Sequence, residues 1–375
     1  MSANLLNAAE SLASIGAENA DRSERDRSLA PEVAKALAAS PIPAMLVPAA
    51  LGGGERNPAE MVAALSAIAA GDGSAAWCAM VAATSGLVAG YVEREFAREA
   101  FAPPEVAGGV YAPMGRAAMD GGEYVVSGRW PFTSGCKHAT TLMGGALVAG
   151  DGAPEVRAMV FPASQAVIHE TWDTTGLRGT GSHDMEVSEL RVPAGHTASL
   201  ASDTPRHDGL LYAFPAFGLL ALGIAGVAMG IANGAIGDLV ELAAARKPGG
   251  SKRTLAERPG VQASVAHAEA LVGSVAAFVD EAVGEAWDAA ESRGEIGIDE
   301  RAKLRLAATH AVRASADAVD LMYESGGGTA IYARSPLERR FRDIHTARAH
   351  MMVAPQSLEL VGRIHLGLET DTSQL

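Results

Sequence analysis

The stretch Gly128-Arg129-Trp130-Pro131-Phe132-Thr133-Ser134-Gly135 gathers side chains suited to holding a flat ring with polar edges. The faces of Trp130 and Phe132 can stack on such a ring, and the hydroxyls or amides of Thr133 and Ser134 can hydrogen-bond its edge. A strand closing on a tight turn has the same composition, so these eight residues alone leave both readings open. Late in the chain, Arg342-Asp343-Ile344-His345-Thr346-Ala347-Arg348-Ala349-His350 supplies two imidazoles. With an ordinary pKa of about 6.5, a histidine donates or accepts a proton near neutrality. The spacing of His345 and His350 turns them about 140° apart on a helix, so one of them is expected to face a site, and His350 is the choice.

Missing signatures exclude other chemistries. The chain holds no GxxxxGK[ST], HExxH or GxSxG motif, and its GxG-like pieces follow helices or lie in loops, so no built-in dinucleotide domain is expected. Gly181-Ser182-His183-Asp184 sets a serine beside a histidine, but sequence neighbours rarely reach triad geometry, and the segment reads as a polar loop. The two cysteines, Cys78 and Cys136, stand in no CxxC or Cys/His cluster. Neither a disulfide framework nor a metal site is expected, and a cytoplasmic location fits best. Thirty Lys and Arg against 44 Asp and Glu give a net charge of −14 spread along the chain, which lacks the footprint of nucleic-acid binding. The first residues carry an early acid and no unbroken apolar core, unlike a secretory signal.

Three textures follow one another, giving an N-terminal helical domain over 1–105, a β-domain over 106–205 and a C-terminal helical domain over 206–375. The first is rich in Ala and Leu, with helices expected over 58–70 and 74–91, a glycine turn over 49–57, and a helix stop and N-cap at Gly71-Asp72-Gly73-Ser74. The second holds strands over 123–130, 140–149, 156–162 and 185–192, with turns at 121–122, 150–152 and 193–195, and predicts a compact antiparallel barrel or sandwich. The third predicts a four-helix bundle over 212–245, 261–292, 300–324 and 335–366, with Pro259 and Pro336 opening helices and Gly326-Gly327-Gly328 closing one. Residues 209–237 carry no charge, longer than the ~20 residues of a membrane span. Pro215, Asn233 and the four-residue spacing of Gly226, Gly230 and Gly234 assign this run to the centre of the bundle, with no membrane partner. The glycine-rich surfaces of this bundle also point to subunit contacts.

Further segments complete a pattern: Thr171-Trp172-Asp173-Thr174-Thr175-Gly176-Leu177-Arg178-Gly179-Thr180-Gly181-Ser182, then Gly327-Gly328-Thr329, then Pro336-Leu337-Glu338-Arg339 and Arg342-Asp343. With them the chain resembles the acyl-CoA dehydrogenase superfamily over nearly its whole length. That implies an α+β, mostly α fold of N-terminal helical domain, middle antiparallel β-barrel or sandwich, and C-terminal four-helix bundle. Dehydrogenase members need a carboxylate to remove a weakly acidic carbon-bound proton. The glutamate that most of them carry about eight residues beyond the Arg-Asp pair is absent here, and the charge-free run excludes its alternative place on the first bundle helix.

His350 at the late position, together with a Ser-Gly turn after Trp-x-Phe, is similar to the two-component monooxygenases that use reduced flavin to hydroxylate phenols, indoles, thiophenes or polyketides. This resemblance implies FADH2 or FMNH2 from a separate NAD(P)H:flavin reductase, O2, a C4a-hydroperoxyflavin and an aromatic or polycyclic small-molecule substrate. It places Ser134 at flavin N5 and gives His350 the task of stabilising the hydroperoxide or deprotonating substrate. Trp130, Phe132 and Thr133 would cradle the ring, while Gly327 and Gly328 would meet the flavin at a dimer contact. Arg246, with Lys252, Arg253 and Arg258, would neutralise flavin phosphates across subunits of a homotetramer. In one departure, some relatives carry a further histidine in the first helical domain, whereas none precedes His138 here. The competing readings are an acyl-CoA or nitroalkane-oxidising flavoenzyme with another base, and a catalytically silent scaffold.

Overall fold

Proline and capping side chains set most helix starts. Pro31, Pro58, Pro259 and Pro336 each stand in a first helical turn, where a missing N–H leaves no bond unmade. The computed structural model describes residues 2–149, 155–247 and 249–375, so the turn expected over 150–152 lies outside the described residues. The first helical segment comprises α1 (Ala3–Asp26), α2 (Pro31–Ala39), α3 (Pro58–Gly71), α4 (Gly73–Ser85) and α5 (Arg94–Phe101). Asn57 caps α3 by accepting from the Ala59 amide at 2.8 Å, and the buried Asp72 caps α4 by accepting from the Ala75 amide at 2.7 Å. The helix expected over 74–91 stops at Ser85, and the glycines at both ends of Gly86–Gly90 turn the chain into a short 3₁₀ segment.

Among the described residues seven strands form one sheet: β1 (Ala107–Asp120), β2 (Glu123–Thr133), β3 (Thr141–Val148), β4 (Glu155–Pro162), β5 (Val167–His169), β6 (His183–Pro193) and β7 (Thr197–Ala198). Their order is β5-β6-β2-β1-β3-β4-β7. The antiparallel expectation is corrected at one pairing, because β1 runs parallel to β3, with Ala107 opposite Thr141. Gly108, Gly109 and Pro113 hide β1 from a pattern reading, and the register slips on either side of Pro113.

Trp130 is also a correction. Along β2 the inward positions are Tyr124, Val126 and Trp130, and the indole is fully buried in the sheet's own core. Its Nε1–H donates to the Gly145 carbonyl at 2.7 Å. Methyl groups at Gly115, Gly128 and Gly144 would come within 2.4, 2.7 and 2.6 Å of the ring. Those three glycines make room for the indole inside the sheet, so Trp130 has no face to offer a ligand.

The third segment holds α6 (Ala216–Ala245), α7 (Pro259–Arg293), α8 (Ile298–Gly326), α9 (Pro336–Arg348) and α10 (Gln356–His365). The single fourth helix expected over 335–366 is therefore two helices. Pro355 has no N–H and disfavours helix before it, and the intervening chain forms a 3₁₀ turn over Met351–Val353. His350 lies in this break, so the helical angle between it and His345 does not apply.

The apolar run of α6 is long enough to cross a membrane, yet 89% of its most apolar window lies inside the protein. Its glycine stripe faces one neighbour: methyls at Gly226, Gly230 and Gly234 would come within 2.9, 2.2 and 2.7 Å of the Val62, Ser66 and Ala70 carbonyls of α3. Matching four-residue ridges thus bring two backbones together within one chain, and this stripe is not a subunit contact. The two helical segments share one apolar core, reaching from Leu5 to Val353, while the sheet keeps a second core of its own.

Trp130→Ala is expected to cost about 3–5 kcal/mol, read as a lower midpoint of urea unfolding. An unchanged midpoint together with lost ligand binding would return Trp130 to the site.

Candidate active site

Where β2 ends, the chain turns sharply. Phe132 has a φ of +66°, the Ser134 amide donates to the Phe132 carbonyl at 2.8 Å, and Gly135 has a φ of +74°, which suits glycine. The loop between β5 and β6 is sewn onto this turn. The Gly135 amide donates to the Thr180 carbonyl at 3.0 Å, and the Cys78 and Cys136 thiols lie 3.6 and 3.4 Å from the Thr180 and Gly181 carbonyls. Both cysteines are free and buried, and burial raises both thiol pKa values, that of Cys136 to about 11.

The residues expected at the ring separate here. Thr133 is fully buried and its hydroxyl donates to the Trp130 carbonyl at 3.1 Å, which removes that side chain from any ligand and corrects its expected role. Phe132 is 66% exposed, and its ring meets Trp172 edge-on at 6.1 Å, so an aromatic surface is available there without Trp130. Ser134 is buried, accepts from the Trp77 indole N–H at 3.1 Å and lies 2.7 Å from the Ser182 hydroxyl. Trp77, on α4, in turn has its ring 5.8 Å from that of His350. The structure therefore brings Ser134, Trp77 and His350 together from the sheet, the first helical segment and the break after α9.

His350 accepts from the Met352 amide through Nδ1 at 3.2 Å. Burial pushes its pKa down to about 4, so the ring is neutral at pH 7. With Nδ1 serving as acceptor, the proton belongs on Nε2, and the free edge of His350 is a hydrogen-bond donor. His345 points elsewhere, its Nε2 2.8 Å from the Asp320 carboxylate. A third imidazole, His138, packs behind the Ser134 turn, where a methyl on Gly135 would lie 3.0 Å from its Nε2. Burial lowers the pKa of His138 to about 4 as well, and its Nδ1 has no partner among the described residues. His183 does not serve Ser182 as a base: its Nδ1 accepts from the Trp172 amide at 3.1 Å and its Nε2 bonds the Arg27 carbonyl at 3.2 Å.

The Arg342-Asp343 pair holds this assembly in place. Asp343 is buried and accepts from the Leu177 amide at 2.6 Å. Burial pushes its pKa up to about 7 despite that bond. Arg342 bonds Glu338 at 2.6 Å and Glu24 at 2.7 Å, tying α9 to α1. A methyl at Gly176 would lie 2.1 Å from the Arg342 carbonyl, so the loop lies directly on the α9 backbone.

Arg246, Gly327 and Gly328 line a different place, an open cleft of about 760 Å³ shared with Arg258, Glu324, Thr329 and Tyr332. Added methyls on Gly327 and Gly328 would meet no protein atom, so their backbone is bare toward the cleft. Gly327, with a φ of +57°, makes the turn that ends α8. Lys252 and Arg253 do not line it. The residues present thus fit a flavin in two parts: guanidiniums and bare glycine backbone suit phosphates, whereas Ser134, His350 and the Phe132 and Trp172 rings suit a flat ring with polar edges. Among the described residues that line the cleft, none of these last four appears.

The family described as "Acyl-CoA dehydrogenase, C-terminal domain" matches residues 222–355. An indole-3-acetate monooxygenase of Pseudomonas putida is 32% identical over 347 residues, covering 92% of this chain and 89% of that protein. The oxygenase component of an FADH2-dependent resorcinol hydroxylase from a Rhizobium species is 30% identical over 281 residues, covering 70% of this chain and 68% of that protein. The crystal structure of a 3-HSA hydroxylase from a Rhodococcus species has the same fold, with a TM-score of 0.93 at 24% identity over 100% of this chain and 99% of that one. The chain belongs to the two-component flavin-dependent monooxygenases built on the acyl-CoA dehydrogenase fold.

Trp77 escaped the sequence reading. The available signal was an indole in an otherwise small and apolar helix, since a buried Trp N–H needs an acceptor somewhere in the fold.

The depressed pKa of His350 has a definite sign in stability. Its folded value of about 4 lies below the unfolded value of 6.5, so the neutral ring's contribution is complete above pH 6.5 and is lost as pH falls through 4. An NMR titration of its ring protons is expected to give a midpoint near 4, and His350→Gln is expected to flatten the unfolding free energy over that window. A midpoint near 6.5 would place the ring in water.

Proposed function

We propose that this chain is the oxygenase component of a hydroxylase that takes FADH2 or FMNH2 from a separate NAD(P)H:flavin reductase and adds one atom of O2 to an electron-rich aromatic or polycyclic small molecule. Bound reduced flavin would supply the two electrons that activate oxygen. The observation that carries this reading is the convergence of Ser134, Trp77 and a neutral His350, with no free carboxylate among the residues that form it. Asp343, the nearest acid in sequence, is held by the Leu177 amide. A dehydrogenase would need a carboxylate there.

Each part of the chain has a task in this reading. Residues 1–105 supply Trp77, residues 106–205 supply Ser134 against the flavin N5 edge with Phe132 beside the ring, and residues 206–375 supply His350. The Nε2–H of His350 would donate to developing negative charge on oxygen or substrate, and the surrounding apolar core would keep water from the reacting atoms. Arg246, Arg258, Gly327 and Gly328 would hold the phosphates of a flavin whose ring lies in a neighbouring copy, because one chain separates the two sets. A homotetramer supplies that neighbour. Its support is the outer face of α7, an apolar helix only 17% of whose most apolar window is buried within the chain. Two free, buried cysteines support a reducing, cytoplasmic setting.

The test supplies the purified chain with a flavin reductase, NADH, ¹⁸O₂ and a panel of indoles and phenols. An ¹⁸O-labelled hydroxylated product is expected, with kcat falling on the order of a hundredfold in His350→Ala. Hydrogen peroxide as the sole oxygen product across the panel would overturn the reading.

A further inference from the structure

Beneath Ser134 runs a buried file of hydrogen bonds. The Trp77 Nε1–H reaches Ser134 Oγ at 3.1 Å, Ser134 Oγ lies 2.7 Å from Ser182 Oγ, and Ser182 Oγ lies 2.7 Å from Thr180 Oγ1. Thr180 Oγ1 in turn donates to the Leu177 carbonyl at 2.8 Å. The four side chains are all 8% exposed or less, so water does not complete the bonding. The two ends give the file a direction: an indole N–H only donates, and a carbonyl only accepts.

Each hydroxyl has a single proton. For all four bonds to form, Thr180 donates to Leu177, Ser182 donates to Thr180, and Ser134 donates to Ser182. Reversing the three hydroxyls leaves the Thr180–Leu177 bond unmade. In the favoured arrangement Ser134 has given its proton away and taken one bond from Trp77. A single acceptor position on Oγ remains.

We propose that this relay makes Ser134 an acceptor only, and that the site thereby holds reduced flavin, whose N5 carries a hydrogen, in preference to oxidised flavin, whose N5 presents a lone pair. The inference rests on the placement of Ser134 at N5 under the proposed function. Ser182 and Thr180 are then positioning residues that touch no ligand and act through the direction of Ser134's proton. Reduced flavin adds an N–H···O bond and leaves the relay intact, whereas oxidised flavin meets an unprotonated edge unless the relay reverses and forfeits one buried bond. A net hydrogen bond corresponds to a roughly 2- to 10-fold difference in affinity. The preference matches a protein that receives flavin already reduced and releases it oxidised.

The experiment measures Kd for oxidised and for anaerobically reduced FAD and FMN on the full chain, without substrate or turnover, and takes the ratio of the two. Ser182→Ala frees the Ser134 proton and is expected to tighten oxidised-flavin binding, lowering the oxidised-to-reduced Kd ratio roughly 2- to 10-fold. Thr180→Val, close in shape, removes the acceptor beyond Ser182 and is expected to lower the ratio likewise, so it decides the matter if Ser182→Ala does not fold. Trp77→Phe leaves the hydroxyl order intact and is expected to keep the ratio. A wild-type ratio in a folded Ser182→Ala or Thr180→Val protein that binds both flavin forms would overturn the relay. Failure of the flavin reading looks different, since the unaltered chain would then bind neither form.

Discussion

The hydrogen bond between the Leu177 amide and the buried Asp343 carboxylate, 2.6 Å long, is the contact on which the site depends. It fastens the loop between β5 and β6 to α9, at a residue whose φ of +50° is uncommon for any side chain but glycine. Strain of that kind persists only where the surroundings impose it. Here they include Gly176 against the α9 backbone and Gly179 against Ser23 and Ser74, where a methyl would come within 2.9 and 3.0 Å. With the loop so placed, Ser182 and Thr180 reach Ser134, and Ser134 reaches Trp77. Removing a carboxylate from water is costly, and the elevated pKa of Asp343 records that cost.

The same anchoring gives the site its electrostatic character. Ser134, Trp77 and His350 come from three parts of the chain that share no local structure, and the docked loop and the split after α9 help to bring them together. Among the described residues no carboxylate is hydrogen-bonded to any of the three, and the imidazole is held neutral by burial with its donor edge free. Buried hydroxyl and indole groups beside a neutral imidazole suit oxygen chemistry on an electron-rich ring better than removal of a carbon-bound proton. That is the chemical divide between the monooxygenases to which this chain belongs and the dehydrogenases whose fold it shares.

Much of the fold was legible in the sequence because its punctuation has chemical causes. Pro58, Pro259 and Pro336 open helices where expected, and the uncharged run of α6 lies inside the helical core. Less legible were features that depend on neighbours distant in sequence. The glycines and proline of β1 concealed a strand that only its partners stabilise, and one proline, Pro355, divided a pattern that otherwise reads as a single helix. Trp130 was misplaced although the cue was present: it shares inward parity with Tyr124 and Val126, which assigns it to the sheet's core. Of the site, Ser134 and His350 were named from resemblance. Trp77 left the cue of an indole N–H in need of an acceptor, whereas the bonding of Ser182 and Thr180 to Ser134 was out of reach, because a relay of buried hydroxyls leaves no spacing rule in the sequence.

In the proposed function, reduced flavin meets oxygen at the junction of Ser134, Trp77 and His350. Rapid mixing of the anaerobic complex with reduced FAD or FMN against oxygenated buffer, followed by flavin absorbance, tests it most directly. A transient species spectrally distinct from both reduced and oxidised flavin is expected, persisting before oxidised flavin returns and shortened in His350→Ala. Immediate formation of oxidised flavin, with an equivalent of hydrogen peroxide and no such transient, would contradict it.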